Sequence, residues 1–391
     1  MGDTVSKVKN PKTYIDDFKY NRGYNDCITV EHRSHNPKRD FLFVNKYQCK
    51  HIPASPLQME KMCKNLANKV NNSLTKDNKV LIVGFAETAT AIGYLVAKNV
   101  KQCEYVMCTT RENIEESIEL ITFEEEHSHA TTQKLLIYNE NAISINEFNY
   151  ILFVEDEIST GNTILNFIKA FSKKFDNKFR YGVASICNWQ SEENKNIFSD
   201  YNIDRFFLLS GSLKDKDSKM NINNSIITEI PNIAFEPKHD ASLIFSGENY
   251  FKFLRLGMPS KCLKFNFNDI LSVCERYSSV RVIGSEECMI PAVILGIVLE
   301  KQGKKVICHS STRSKIDVIH SDIDDETSGI KNGYCVKSAY DKDRKTYLYN
   351  TDTYTELTVI VSDTPDARQF INFVDSVSTI VNTDKVIGYK I

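Results

Sequence analysis

The chain has 391 residues, of which 41% are apolar and 26% are charged, with a formal net charge of −2 at pH 7 and a pI near 6.5. This composition is typical of a globular protein long enough for about two or three domains. The near-neutral balance gives no global attraction to nucleic acid or to a membrane surface, so neither is expected as a partner.

The cysteines and the N-terminal sequence indicate the compartment. Eleven cysteines are scattered along the chain without a C-x-x-C pair. An odd count without metal-ligand spacing, in a chain of this size, favours reduced thiols. No stretch has the order of a signal peptide, and no apolar run reaches membrane-spanning length. The sequence therefore predicts a soluble, cytoplasmic protein.

The N-terminal stretch, residues 1–34, has little periodic signal and predicts an arm. A short strand is predicted at residues 41–44. Four cations flank that strand: Lys38, Arg39, Lys50 and His51. They could face phosphates or an acidic acceptor, or they could form a solvated edge, and the sequence leaves both interpretations open.

A first strand, turn and helix follow an amphipathic helix predicted at residues 56–72. Residues 79–83 predict a buried strand, residues 84–90 a turn of small and polar residues, and residues 92–100 a helix. Free backbone N–H groups at such a helix start can receive an anion, so this turn is a candidate anion cradle.

The segment between the next two strands combines acids and histidines. A strand at residues 105–109 ends in Thr110-Arg111-Glu112, and residues 123–132 precede a strand at 134–138. A solvated acidic helix end would explain the run of glutamates. It explains less well two histidines that alternate with serine after Glu126, namely His127 and His129, so a functional loop is favoured.

The central motif is residues 150–163, YILFVEDEISTGNT, followed by helical spacing at residues 164–171. Glu155 and Asp156 are ionised acceptors suited to a ribose diol. The turn after them, at the start of a helix, would receive a phosphate. Its residues are Ser159, Thr160, Gly161, Asn162 and Thr163. A core strand with a solvated capped turn is the alternative, but it leaves the paired acids unexplained.

The rest of the pattern sets the predicted fold and domains. Strands are predicted at residues 181–187 and 205–209, with a polar connection at 189–199, a surface loop at 214–224 and a linker at 235–247. Alternating strands and helices favour an α/β fold with a mostly parallel sheet covered on both faces. The predicted domains are an arm at 1–34, a first α/β domain at 35–240 and a second at 246–391.

The second half repeats the first. Residues 279–287, followed by a helix at 290–302, parallel residues 80–84 with their helix. Residues 306–314 parallel 106–112, and residues 357–368, followed by a helix at 369–377, parallel the central motif with its Thr-Gly lost. Three matches in the same order suggest a duplicated unit whose second copy no longer holds the same ligand.

These motifs resemble a known family. Leu152 to Val154, the acid pair and Thr160-Gly161-Asn162-Thr163 match the phosphoribosyl pyrophosphate (PRPP) signature of type I phosphoribosyltransferases. Together with residues 36–39, 51–53, 84–90, 125–131 and 311–314, they resemble the TRSP-domain phosphoribosyltransferases associated with tellurite-resistance-type bacterial stress operons. The sequence departs from that family at Lys315, where the name-giving motif has proline.

The resemblance implies a type I phosphoribosyltransferase fold, orotate phosphoribosyltransferase-like, with a doubly wound sheet and a second, TRSP-like α/β domain that is a degenerate repeat. It implies PRPP and Mg²⁺ as ligands, with Asp156 touching the metal indirectly. It implies that pyrophosphate binds at Ala86, Glu87 and Thr88. It also implies a loop that closes over PRPP, which makes Arg111, Glu126, His127 and His129 the catalytic candidates.

The expected activity is transfer of a 5-phosphoribosyl group to an unidentified base-like acceptor, in the synthesis of a nucleoside-like metabolite. A regulator that binds PRPP or a nucleotide without turnover, and an enzyme running in the nucleotide-cleaving direction, are the alternatives. A homodimer is left open. In the second domain, a candidate anion site is formed by Gly284, Ser285, Glu286, Thr312, Arg313 and Ser314. A structural pseudo-repeat is the alternative there.

Overall fold

The computed structural model describes residues 15–20, 24, 26–34, 39–124, 132–139, 143–175, 179–214, 225–228, 230–231, 241–246, 255–262, 264–321 and 329–391. The elements of the first half are β1 (Ile15–Tyr20), β2 (Ile28–His32), β3 (Phe41–Asn45), α1 (Pro56–Asn71), β4 (Val80–Gly84), α2 (Thr90–Ala97), β5 (Cys103–Cys108), β6 (Ile118–Glu124), β7 (Thr132–Ile137), β8 (Tyr150–Ile158), α3 (Asn162–Lys174), β9 (Arg180–Asn188), α4 (Glu192–Asp200) and β10 (Ile203–Leu213).

The elements of the second half are β11 (Ser225–Thr228), β12 (Ser242–Phe245), β13 (Met258–Pro259), α5 (Asn268–Cys274), β14 (Ser279–Gly284), α6 (Ile290–Lys301), β15 (Lys305–Ser310), β16 (Val318–Ser321), β17 (Gly333–Lys337), β18 (Lys345–Tyr349), β19 (Thr355–Ser362), α7 (Ala367–Ser378) and β20 (Thr383–Lys390). Among the described residues, no helix combines the length and apolarity needed to cross a membrane. None of the eleven cysteines, all of which lie among the described residues, is joined in a disulfide, and the reduced state of their thiols stays a prediction.

The chain packs into two compact units. The first unit comprises Glu60–Ser212 and Glu248–Asn266, and the second comprises Met1–Met59, Leu213–Gly247 and Phe267–Ile391. This grouping differs from the domain boundaries inferred from the sequence, because residues ahead of α1 hydrogen-bond to the C-terminal half. Ala54 and Cys308 exchange backbone hydrogen bonds of 2.9 and 2.8 Å. The inferred boundaries themselves stay a prediction.

The first unit contains a mostly parallel sheet. Its strands lie in the order β10-β9-β8-β4-β5-β13, and β13 alone runs antiparallel to its neighbour. The strand β4 is a run of apolar, mainly β-branched residues buried throughout, as a central parallel strand requires. Since β5 and β8 flank β4 on either side, the winding of the chain reverses between β4 and β8.

Helices cover both faces of this sheet. Phe153 of β8 packs on Phe167 of α3, with 5.1 Å between the ring centroids. The next residue, Val154, points to the opposite face, where Gly93 of α2 approaches it. A side chain at Gly93 would meet the Cα of Gly84 at 2.9 Å, so glycine lets α2 lie close against the end of β4. The predicted doubly wound α/β fold is confirmed.

The second unit contains a parallel sheet in the order β12-β20-β19-β14-β15. Its strands β15-β14-β19-β20 follow one another in the same relative order as β5-β4-β8-β9 of the first unit. In both units an antiparallel hairpin, β6–β7 or β17–β18, precedes the third of these strands. The common topology supports the prediction that the second α/β domain repeats the first.

Two segments differ from the prediction. The polar connection expected at residues 189–199 contains the helix α4, whose start is capped by Ser191 through a hydrogen bond accepted from the Asn194 N–H. The linker expected at residues 235–247 contains β12, because this segment supplies an edge strand to β20. Most of the surface loop expected at residues 214–224 lies outside the described residues.

The strand β2 lies in the stretch expected to be an arm, yet it is buried and pairs with β3. Asp317 ties it to the C-terminal part of the second unit. The Asp317 carboxylate lies 2.7 Å from His32 Nδ1 and accepts hydrogen bonds from the Ser34 N–H and hydroxyl. Burial alone raises the pKa of Asp317, but these hydrogen bonds outweigh it, so the pKa lies below its usual value.

A buried cation lies inside the second sheet. Arg281 of β14 donates to the Thr351 carbonyl at 3.1 Å and to the Thr353 carbonyl, and its Nη1 lies 3.0 Å from Nε2 of His309 on β15. Because a guanidinium only donates, His309 Nε2 accepts and the ring is neutral. Burial, reinforced by the Arg281 charge, lowers the pKa of His309 well below its usual value.

The His309 environment predicts a dependence of stability on pH. The ring has its ordinary pKa, 6.5, in the unfolded chain and a depressed one in the folded chain, so the unfolded state binds more protons below pH 6.5. The unfolding free energy should therefore fall as the pH drops below 6.5, with a slope of up to about 1.4 kcal/mol per pH unit from this group. His309→Gln, which keeps an acceptor for Arg281, should show a shallower slope in urea denaturation between pH 7 and 5. Identical slopes would contradict this assignment.

Candidate functional site

The candidate site lies where the winding of the first sheet reverses. The carboxyl end of β4 lies beside Val154 of β8, and the Phe85 N–H donates to the Val154 carbonyl at 3.1 Å. The loop after β4 leaves the sheet next to Val154, whereas β8 continues beside β9 to Ile158, and its loop begins at Ser159. Ligands of open α/β sheets bind at such a position, because the diverging connections leave a crevice.

The loop after β8 ends at the start of α3. Gly161 is the N-cap residue, with φ +86°, and makes no side-chain cap, while the Thr160 hydroxyl accepts from the Asn162 N–H at 3.3 Å. A Cβ at this position would lie 2.4 Å from the Phe198 ring, so both the backbone angle and the space require glycine. The side chains of Ser159, Thr160 and Thr163 are partly exposed around the turn. A helix start with hydroxyls beside it can receive a phosphate.

A buried glutamine that the sequence analysis missed supports this loop. Gln190 is fully buried, and its Nε2 donates to the Thr160 carbonyl at 3.2 Å. Its Oε1 is buried without a hydrogen-bond partner among the described residues. No sequence signal indicated this contact, because Gln190 lies in a segment that was expected to be a connection. The contact depends on the pairing of β9 with β8, which brings the residues after β9 close to the loop after β8.

The two acids of the motif lie near the end of β8. Glu155 and Asp156 are both partly exposed, whereas the four residues before them are buried. The carboxylates are therefore not enclosed in the packed core, and they lie at the same end of the strand as the Gly161 turn. Ionised carboxylates accept hydrogen bonds from hydroxyl groups, so the pair can bind a sugar diol.

The loop after β4 is held by hydrogen bonds on both sides of one residue. The Ala86 N–H donates to Thr109 Oγ1 at 2.8 Å, and the Ala86 carbonyl accepts from Gln133 Nε2 at 3.2 Å. The Thr109 hydroxyl in turn donates to Gln133 Oε1. Thr109 and Gln133 were not among the predicted site residues. Together they fix the orientation of the backbone in the turn that was predicted to receive pyrophosphate.

The remaining predicted residues of the first unit lie around this turn or outside the described part. Glu87 is buried and Thr88 is partly exposed. Arg111 is partly exposed and follows Thr110, whose backbone pairs with Lys134 of β7. Glu126, His127 and His129 lie outside the described residues, so their roles stay predictions.

The candidate anion site of the second unit already contains a carboxylate. Glu286 is fully buried and accepts from Arg313 Nε at 2.9 Å, from Arg344 Nη1 at 2.8 Å and from the Ser338 hydroxyl. The Arg313 Nη2 atom lies 3.6 Å from Glu287. The predicted cation of this site is thus paired with carboxylates of its own chain, as the alternative of a structural pseudo-repeat requires.

Lys50 also differs from what its sequence position suggested. Its side chain is buried in the second unit, and Nζ donates to the carbonyls of Glu286 and Ser311 at 2.8 and 2.9 Å. These carbonyls follow the ends of β14 and β15. Lys50 therefore neither forms a solvated edge nor points its ammonium at a phosphate; it holds two strand ends together.

A site for Mg²⁺ depends on what the chain and a substrate each supply. The described residues contain no group of three or more His, Cys, Asp or Glu side chains arranged for a metal. Mg²⁺ keeps several waters and commonly binds through one or two carboxylates together with substrate phosphates. Glu155 and Asp156 fit that mode, in which the substrate brings most of the ligands.

Family models match both parts of the chain. Residues 28–204 match the model described as phosphoribosyl transferase. Residues 265–377 match the model described as the TRSP domain C-terminal to that transferase domain. The chain carries a phosphoribosyl transferase domain followed by a TRSP domain. The prediction of a phosphoribosyltransferase is therefore confirmed at the level of the domain. No curated protein shows significant similarity to the sequence.

Several solved structures are similar to part of this chain. One is adenine phosphoribosyltransferase from Trypanosoma brucei in complex with AMP, pyrophosphate and ribose-5-phosphate. It is 12% identical, with 46% of this chain and 76% of that chain covered and a TM-score of 0.33. The enzyme from Rhodothermus marinus is 12% identical, with 48% and 96% covered and a TM-score of 0.34. A Neisseria gonorrhoeae protein with bound ppGpp is 13% identical, with 44% and 87% covered and a TM-score of 0.26.

The contacts of Ala86 predict the effect of Gln133→Leu. The Ala86 carbonyl and the Thr109 hydroxyl would each lose a buried partner, and an unpaired buried polar group costs about 1–3 kcal/mol. The unfolding free energy should fall by about that amount in urea denaturation, and the affinity for pyrophosphate should fall in titration calorimetry. Lys134→Leu is the matched control, because its ammonium bonds Asn113 and not the turn. Equal losses in the two variants would show that Gln133 does not position the loop.

Proposed function

We propose that the transferase domain binds PRPP with Mg²⁺ and transfers its 5-phosphoribosyl group to a base-like acceptor, with release of pyrophosphate. The observation that carries the proposal is that three features lie at one edge of the sheet: the turn after β4, the partly exposed carboxylates Glu155 and Asp156 near the end of β8, and the helix start that follows β8. A phosphate, a diol and a second anionic group in one crevice match the three polar parts of PRPP.

Each part of PRPP has a proposed partner. The 5-phosphate binds at the start of α3, on the backbone and hydroxyls of the turn that contains Gly161. The ribose hydroxyls donate to Glu155 and Asp156. The pyrophosphate binds at the Ala86 turn, including Glu87 and Thr88. When bound, Mg²⁺ neutralises charge on the pyrophosphate oxygens, with Asp156 contacting it indirectly.

The chain's own residues promote departure of pyrophosphate. C1 of the ribose becomes electron-poor as its bond to the leaving oxygen lengthens, so stabilisation of the leaving group's negative charge lowers the barrier. Arg111, two residues beyond the Thr109 that holds the Ala86 N–H, would supply a positive charge to the pyrophosphate. His127 or His129 would come from the loop that closes over PRPP, where it stabilises or protonates pyrophosphate oxygens, and closure of the loop excludes water. Glu126 of the same loop is a further catalytic candidate.

The cellular setting belongs to the same proposal. A base-like acceptor and an orotate-type reaction would yield a nucleotide-like product, in synthesis of a nucleoside-like metabolite. The proposal also includes a cytoplasmic location, a role in a bacterial stress response of the tellurite-resistance type and assembly as a homodimer. There are two alternatives: binding of PRPP without turnover, and catalysis in the nucleotide-cleaving direction. An assay of pyrophosphate release in the presence of candidate acceptors distinguishes the proposed transfer from these alternatives.

The proposed role of the acid pair can be tested by comparing the PRPP affinity of two variants, one at Asp156 and one at Asp363, its counterpart in the second unit. Asp156→Asn removes a charged acceptor from the ribose hydroxyls and should weaken PRPP affinity about tenfold or more in titration calorimetry with Mg²⁺. Asp363→Asn changes the residue at the corresponding strand position of the second unit and should leave PRPP affinity unchanged. Circular dichroism checks that both variants are folded. An Asp156→Asn protein that binds PRPP and releases pyrophosphate like the unsubstituted chain would remove this proposal.

A further inference from the structure

The two units correspond not only in strand order but contact by contact. In the first unit, the Phe85 N–H donates to the Val154 carbonyl, and in the second the Ser285 N–H donates to the Val361 carbonyl, both at 3.1 Å. The residue after each strand β5 and β15 returns a backbone bond to Gly84 or Gly284. Two residues beyond each strand, an antiparallel bridge joins the chain to the hairpin.

The side chains that hold the loops correspond as well. The Ala86 N–H donates to the hydroxyl of Thr109, and the Glu286 N–H donates to the hydroxyl of Ser311, at 2.8 and 3.0 Å. The bridges pair Thr110 with Lys134 and Thr312 with Tyr347. This register places Glu286 at the position of Ala86. It likewise places Arg313 at the position of Arg111, and Asp363 at that of Asp156.

At three positions, a side chain of the second unit occupies a place that corresponds to a proposed ligand position in the first unit. The first of these filled positions is the turn after β14, which corresponds to the turn after β4. Where the transferase domain has the methyl group of Ala86, the second unit has the carboxylate of Glu286. That carboxylate is fully buried and receives hydrogen bonds from Arg313, Arg344 and Ser338. Two guanidiniums and a hydroxyl around one anionic group are the donors that an inorganic anion would need.

The second filled position is that of Asp363, which directly follows β19 and corresponds to Asp156. Asp363 is buried and accepts from the hydroxyl of Tyr340. The same hydroxyl lies 2.9 Å from Ser285 Oγ, which donates to Ser362 Oγ at 2.8 Å. A hydroxyl of the chain thus contacts the carboxylate that corresponds to Asp156.

The third filled position is the helix start. In the second unit the N-cap of α7 is Asp366, and its carboxylate accepts from the N–H groups of Arg368 and Gln369 at 2.8 and 3.1 Å. In the first unit the corresponding N-cap is Gly161, which has no carboxylate, and the helix start has the neutral Thr160 hydroxyl, which accepts from the Asn162 N–H at 3.3 Å. An acidic cap occupies the donors and adds negative charge where a phosphate would otherwise bind.

We infer that the second unit is a copy of the transferase ligand site that binds its own side chains, with Glu286 as its resident anion, Tyr340 in place of a ligand hydroxyl and Asp366 in place of a phosphate. The assignment of these places to parts of PRPP rests on the proposed function; the filling of the site by Glu286 does not. One consequence is that the chain binds a single pyrophosphate or PRPP, in the first unit. Another is that Arg111, as the counterpart of Arg313, contacts the anion that binds at the Ala86 turn.

Two reciprocal substitutions test this inference with pyrophosphate as the probe. Titration calorimetry on the full chain should give one site per chain. Ala86→Glu places a carboxylate where the second unit has one and should abolish that site. Glu286→Ala removes the resident carboxylate beside Arg313 and Arg344 and should raise the stoichiometry from one to two. The gained site should be lost again in the double variant Glu286→Ala, Arg313→Ala.

The outcomes separate this inference from the proposed function. Failure of the unsubstituted chain to bind pyrophosphate would count against the proposed function, whereas a site gained in Glu286→Ala and lost with Arg313 would still support the filled copy. Two sites in the unsubstituted chain, or no gain in a folded Glu286→Ala protein, would overturn the inference. If Glu286→Ala folds only when acetate or pyrophosphate is added, the added anion has replaced the carboxylate, as expected. Failure to fold with or without these anions would overturn the inference.

Discussion

The structure of the transferase domain depends on the adjacency of two parallel strand ends. β4 and β8 are hydrogen-bonded neighbours up to Gly84 and Val154, and the Phe85 N–H extends the pairing by one residue. Beyond Gly84 the chain turns into α2 on one face, whereas β8 continues to Ile158 beside β9 before the chain turns into α3 on the other face. The two turns therefore lie at the same edge of the sheet, and each leads into a helix. Such a crevice follows from the topology before any side chain is considered.

Side chains then decide what the crevice can bind. Gly161, as the N-cap residue of α3, makes no side-chain cap, and Ala86 leaves the other turn small. Thr109 and Gln133 hold the Ala86 backbone from both sides, and Gln190 holds the Thr160 carbonyl. Buried amides and a buried hydroxyl thus help to fix the loops that would receive anions. Fixed donors are an advantage in catalysis, since they need little reorganisation when charge develops on a leaving group.

The sequence was sufficient for the parts of the site that are local. The acids, the Gly161 turn and the first two residues of the helix lie within the fourteen residues 150–163, and their order alone predicts strand, turn and helix. The supporting residues are not local: Gln133 reaches the Ala86 turn from β7, and Gln190 reaches Thr160 from the segment after β9. A lone glutamine has no distinctive pattern. The strand β2 and the helix α4 were missed for a related reason, because short elements acquire their stability from tertiary contacts rather than from periodicity.

The TRSP domain shows a different limit of sequence reasoning. Arg313 beside small and hydroxyl-bearing residues has the composition of an anion site, and sequence cannot distinguish an arginine that binds a ligand from one that pairs with a buried glutamate. The structure also suggests why such pairing persists. A duplicated ligand site that loses its ligand retains buried donors, which are costly when left unpaired. Removing one member of a buried ion pair costs about 3–5 kcal/mol, so a carboxylate such as Glu286, once surrounded by Arg313, Arg344 and Ser338, is difficult to lose. The acidic cap of α7 and the Tyr340 hydroxyl on Asp363 satisfy the remaining groups in the same way. A fold built around a ligand can therefore remain stable without it, provided that its own side chains replace the ligand's hydrogen bonds.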